Sequence, residues 1–245
     1  PEIRGKVAGS VNLNRGDNSF GSVADLSAGG DLTLSSYNLT VTGDVASETG
    51  NVSITARRQL IVNSGATIAA ATATKGVTLV SDTEGHNTTA SIQGAVSAGS
   101  GGISLTSYYS GITTGTGGTL TTDGSVVVQN HYYGREISIG GAINAGVGGI
   151  RVDSAEGSVT TSATMTTGGS VVVESGVYDT TTVGGAITAG IDGITITSGG
   201  HLNVNAALTS KTLADAGFVT LRSGKDSGSG NYDINLAADV VAGSG

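Results

Sequence analysis

Apolar residues recur at every second position of this chain, in short runs broken by glycine. Val52-Ser-Ile54, Ile103-Ser-Leu105, Val126-Val-Val128, Ile150-Arg-Val152 and Val171-Val-Val173 are examples. Alternation of this kind buries one face of a short β-strand. Aligning the runs gives four columns. The first is Leu26, Val45, Ile68, Val96, Leu120, Ile143, Met165, Ile187, Leu208 and Val240. Two residues later stands a small residue: Ala28, Ser47, Ala70, Ala98, Thr122, Ala145, Thr167, Ala189, Ser210 and Ala242. After a glycine-rich turn comes a third column, Leu32 to Val219, and two residues on a fourth, Leu34 to Leu221. A further strand precedes the first column, visible in Leu39/Val41, Leu60/Val62 and Leu202/Val204. Glycine, threonine, valine and serine dominate, so helix is poorly supported.

Whole motifs repeat as well. Ile92-Gln-Gly-Ala-Val-Ser-Ala-Gly-Ser-Gly-Gly-Ile103 returns as Ile139-Gly-Gly-Ala-Ile-Asn-Ala-Gly-Val-Gly-Gly-Ile150 and as Val183-Gly-Gly-Ala-Ile-Thr-Ala-Gly-Ile-Asp-Gly-Ile194. Between these copies, Leu120-Thr-Thr-Asp-Gly-Ser-Val-Val-Val matches Met165-Thr-Thr-Gly-Gly-Ser-Val-Val-Val. Each type recurs at about 45 residues, so two unlike coils of half that length alternate. The pattern predicts an all-β fold: a right-handed parallel β-helix of roughly ten coils, with three short strands per coil, over residues 1–245 as one domain. Handedness rests on coil length, which exceeds the roughly 18 residues of hexapeptide-repeat left-handed helices. The small column fits a tight interior beside a corner. A sandwich or barrel does not explain why one small position returns in every coil.

Composition agrees with a narrow core. The 245 residues include 42 Gly, no Trp, two Phe and one Met. Collagen is excluded, because Gly has no three-residue period and there is one Pro. Abundant β-branched residues and a mean hydropathy of +0.13 disfavour disorder. The absence of Cys removes disulfides, thiolate metal sites and thiol nucleophiles. A net charge of −8 argues against nucleic acid. No run is apolar for long enough to insert in a membrane as a helix. The opening Pro1-Glu-Ile-Arg4 is expected to belong to a mature product or a fragment.

The G-x-[IV]-x-[IV]-x-S strands and A-G-x-x-G turns resemble the filamentous-haemagglutinin-like passenger domains of bacterial exoproteins and adhesins. Those are secreted by two-partner or autotransporter routes. The resemblance is architectural and covers nearly all of the chain. It implies an extracellular or bacterial cell-surface rod used for adhesion, display or toxin delivery. Its partner is then a receptor or glycan on a host or neighbouring cell. Coil pattern persists at both termini, from Ile3, Val7 and Val11 to Val240–Ala242, without a cap. Rungs are therefore expected to continue, either in a longer rod or by end-to-end self-association.

Candidate chemistry is sparse. Gly29-Gly-Asp-Leu-Thr-Leu and Gly117-Gly-Thr-Leu-Thr-Thr-Asp123 miss the calcium nonapeptide and have no tandem copy. Asp153 and Glu174 fall on successive coils about 5 Å apart, with Arg151 beside them. That pair is the best acid–base arrangement for a carbohydrate-active enzyme, the alternative reading. A solvated charge ladder explains it more simply. Thr121, Asn144, Thr166, Thr188 and Thr209 form an outward array that raises ice binding as a second alternative, but no T-x-T is sustained. His86, His131 and His201 lie in or beside loops on different coils, so no metal is expected. The reading is of a non-enzyme without cofactor.

Length varies mainly at one place, after the third strand of each coil. All seven Tyr lie there, Tyr37 and Tyr232 included. Stacked coils put these loops along a single edge of the rod. Loops on a rigid scaffold carry binding residues, and Tyr adds contact area with a polar tip. Tyr108, Tyr109, His131, Tyr132, Tyr133 and Tyr178 are the candidate binding residues. The simpler explanation is that loops tolerate Tyr and that stacked rings protect the corner.

Overall fold

The computed structural model describes every residue except 15–19, 133–134, 191, 212–216, 225–229 and 244–245. Among the described residues there is no helix. The chain winds into a β-solenoid of about nine turns with three strands per turn. Every strand pairing is parallel.

Three ladders run along the axis. Ladder A carries the first column in unbroken register, Leu26 on Val45 on Ile68 and on to Leu208 and Val240. Ladder B carries the third and fourth columns, with Ile103 and Leu105 on Val126 and Val128, then on Ile150 and Val152. Ladder C is the third strand of each turn and includes Ala90–Ile92, Ile112–Thr114, Ile137–Ile139, Val159–Thr161 and Thr181–Val183. Within the rod, like stacks on like: Ile143, Met165 and Ile187 are fully buried neighbours. At the last described turn the same positions, Ile234, Leu236 and Val240, are exposed.

The A-to-B corner has two alternating solutions, one for each coil type. In the A-G-x-x-G coils the closing glycine adopts a left-handed φ, +80° at Gly102, +83° at Gly149 and +74° at Gly193. A side chain there is strained. In the other coil type the small-column threonine takes over. Thr122 Oγ1 donates to Gly99 O of the preceding turn (2.5 Å) and accepts Gly124 N–H (3.0 Å). Thr167 repeats this with Gly146 O and Gly169 N–H.

The B-to-C corner is built on a buried polar column at the end of ladder B. Ser81, Ser107, Asn130 and Ser154 stack in register. All are nearly inaccessible. This is the S of the G-x-[IV]-x-[IV]-x-S strand. Its polar side chain adds hydrogen bonds where the chain leaves the ladder: Ser175 Oγ donates to Asp179 O (2.9 Å), and Asn130 Nδ2 to Arg135 O (2.7 Å). Ser198 Oγ accepts Thr181 N–H (3.0 Å). Satisfying these groups internally lets the loops outside vary.

Candidate functional site along the aromatic edge

Each ladder B strand delivers its next residues to the same corner. Backbone bonding continues one step past the strand, from Tyr108 N–H to Ser81 O and from His131 N–H to Ser107 O. Residues 108 and 131 are therefore superposed, and 109 and 132 follow them at the same corner. The rings follow. Tyr108 lies over His131, centroids 5.0 Å apart, and Tyr109 stacks on Tyr132 at 4.4 Å and 9°. The far face of Tyr109 rests on Gly85, where an added Cβ would lie 3.7 Å from the ring. Gln129 Nε2 stands 3.4 Å from His131 Nε2.

A second group lies nearer the N-terminus. Tyr37 meets His86 edge-on at 5.4 Å, and its hydroxyl is 3.3 Å from His86 Nε2. The Arg57 guanidinium lies over the Tyr37 ring at 5.5 Å and bonds Glu84 at 3.1 Å. Glu84 also approaches His86 at 3.5 Å. Below them, Asp82 is fully buried at φ +49°. Its Oδ1 accepts His86 N–H at 2.7 Å, and its Oδ2 has no hydrogen-bond partner. A third pair, His201 with Tyr232 at 5.7 Å, sits toward the C-terminus. All three His of the chain thus contact a Tyr of another turn.

Of the candidate binding residues, the fold brings together Tyr108, Tyr109, His131 and Tyr132. Tyr133 lies outside the described residues. Tyr178 is on the same edge, but among the described residues no ring contact joins it to the others. It is 68% exposed and held at φ +67°, a conformation that bulky side chains rarely adopt. The pairing of His86 with Tyr37 was not legible, because the long 82–89 loop reaches past the turn that carries Arg57. The only sequence signal was that both residues fall at the variable corner.

The carboxylate pair takes the form of the charge ladder. Asp153 and Glu174 are neighbours on ladder B. Arg151 binds both, Asp153 at 2.8 Å and Glu174 at 2.6 Å. Burial works against the guanidinium charge, and the two carboxylates more than offset it, so the pKa of Arg151 lies above its ordinary value. Among the described residues no cluster of three His, Asp or Glu side chains is placed to hold a metal.

Fold and edge together define a parallel β-solenoid with an aromatic, histidine-bearing corner. Compared with family models, curated proteins and solved structures, the chain matches none.

Proposed function

We propose that this chain is a non-catalytic β-rod of a bacterial surface or secreted protein, and that it engages a receptor or glycan through the B-to-C edge. The concentration of aromatic rings at one corner carries this reading. The described rings of Tyr37, Tyr108, Tyr109, Tyr132, Tyr178 and Tyr232 all stand there, while glycine turns and threonine caps close the A-to-B corner. Tyr178 adds to it, since an exposed ring held in a left-handed turn brings no packing that would offset the strain. Tyr108 and Tyr132 are 39% and 43% exposed and offer edges and hydroxyls to a partner.

The test separates adhesion from stability. Purified chain is applied to immobilised glycans and to intact cells. Tyr178→Gly relieves the turn and Tyr108→Ser leaves the Tyr109–Tyr132 stack in place. The expected result is reduced retention for both variants, with melting temperatures no lower for Tyr178→Gly. Retention equal to the parent in both, or no retention of the parent on either surface, overturns the reading.

A further inference from the structure

Among the described residues, Tyr109 and Tyr132 are the one Tyr–Tyr pair in ring contact; Tyr37, Tyr108 and Tyr232 each meet a histidine. Their side chains leave the same corner on successive turns, and the two phenols share a side-chain hydrogen bond. The rings are nearly parallel, 9° apart, with centroids at 4.4 Å. Nearly parallel rings joined hydroxyl to hydroxyl hold their ortho carbons as neighbours. We propose that Tyr109 and Tyr132 are a site of oxidative cross-linking, at which peroxide acting through a peroxidase couples the rings into a dityrosine that staples two turns of the rod.

The chemistry balances without any further reactant. Hydrogen peroxide, through the peroxidase, takes one electron and one proton from each phenol and is reduced to two waters. The two phenoxyl radicals join by a new C–C bond between their ortho carbons. The hydrogens on those carbons then shift to oxygen and restore both phenols. Two tyrosines and one peroxide give one dityrosine and two waters. The surroundings suit this reaction. Tyr132 is open to solvent, so an electron can leave through it. The pKa of Tyr109 is raised, first by the charge of Tyr132, then by desolvation, by its hydrogen bond to Tyr132 and by Asp82. The raised pKa keeps the Tyr109 phenol protonated beside Tyr132. In a chain without cysteine, such a link is the covalent tie between turns that a disulfide would otherwise supply. The proposal stands on ring geometry and does not depend on the adhesive reading.

The experiment treats the full chain with a haem peroxidase and limiting hydrogen peroxide. Dityrosine fluorescence and intact mass are followed, and the product is digested at Asp123, which lies between the two rings. The expected product is a single chain lighter by two hydrogens. Residues 109 and 132 sit in one linked peptide pair, at a rate independent of protein concentration. Tyr109→Phe and Tyr132→Phe each lose that product, and Tyr178→Phe keeps it. Dimers between chains as the sole product, a link that leaves 109 or 132 free, or an intrachain link that survives either Phe substitution overturns the proposal.

Discussion

Tyr109 gives the aromatic edge a measurable signature. Its pKa is raised in the folded state, with Tyr132 as the first cause. As pH rises the unfolded chain therefore loses this proton before the folded chain does. The contribution to stability is complete below the ordinary phenol value of about 10. It declines as pH climbs from there through the raised folded pKa. Phenolate absorbance during alkaline titration should show a late step that is absent in Tyr109→Phe and moves to lower pH in Tyr132→Phe. A titration unaltered by Tyr132→Phe contradicts the stacked, hydrogen-bonded pair. Ser198 is the corresponding residue of the hidden polar column. It is fully buried, accepts Thr181 N–H, and its single O–H lies within reach of the carbonyls of Asp179 (2.9 Å) and His201 (2.8 Å). Ser198→Ala removes these bonds, while Thr181 N–H keeps His201 O and Asp179 O keeps Gly200 N–H and Ser175 Oγ, so it should cost about 0.5–1.5 kcal/mol in urea unfolding.

At the scale of the strand, ladder C has a defect that can be repaired. Thr161 stands between the aliphatic Ile139 and Val183, and Thr181 between Val159 and Leu202. Both hydroxyls are buried without a hydrogen-bond partner. Thr161→Val and Thr181→Val keep the branched shape and remove the orphaned oxygen. Each should raise stability by about 1 kcal/mol, read as a higher urea midpoint. A fall in either variant means that the hydroxyl has a partner after all. The same threonines explain what was legible from sequence. Ladders A and B could be read from the chain because three of their four inward columns are almost always Ile, Leu, Val or Met, and the fourth is a small residue at a fixed spacing in every coil. Ladder C shows clearly only at Leu39/Val41, Leu60/Val62 and Leu202/Val204. Elsewhere Ala90, Thr114, Thr161 and Thr181 take inward places, the strands are three residues long, and loops of changing length set them off from ladder B. The serine column escaped for a related reason. A polar residue at the end of an alternating run reads as outward, and only the turn beyond it reveals that its oxygen points in. At the aromatic edge the shared corner was legible, but which ring meets which was not. Those contacts join different turns, and loop length decides them.

For the whole molecule, the alternation of two coil types sets the unit that can be removed. Residues 143–186 form one coil of each type. They begin after Ile139-Gly-Gly-Ala142 and end with Val183-Gly-Gly-Ala186, so deletion joins Ala142 to Ile187 through a seam that already exists in the chain. Leu120 then meets Ile187 in ladder A, Val126 meets Ile194 in ladder B, and Ile137 meets Leu202 in ladder C. Each is an aliphatic pair of the kind found throughout the rod. In a solenoid each turn contacts only its neighbours, so the flanking turns lose one interface pair and gain another of the same chemistry. The shortened chain should fold with an unchanged β circular dichroism per residue. Its urea m-value should fall roughly in proportion to the surface removed. Deleting 143–164 instead takes out a single coil and brings two Thr-type turns together at the A-to-B corner. Gly146 O, which accepts Thr167 Oγ1, is then gone. That variant should be less stable than the two-coil deletion despite being longer. Equal or greater stability in the one-coil deletion would show that the alternation carries no structural weight.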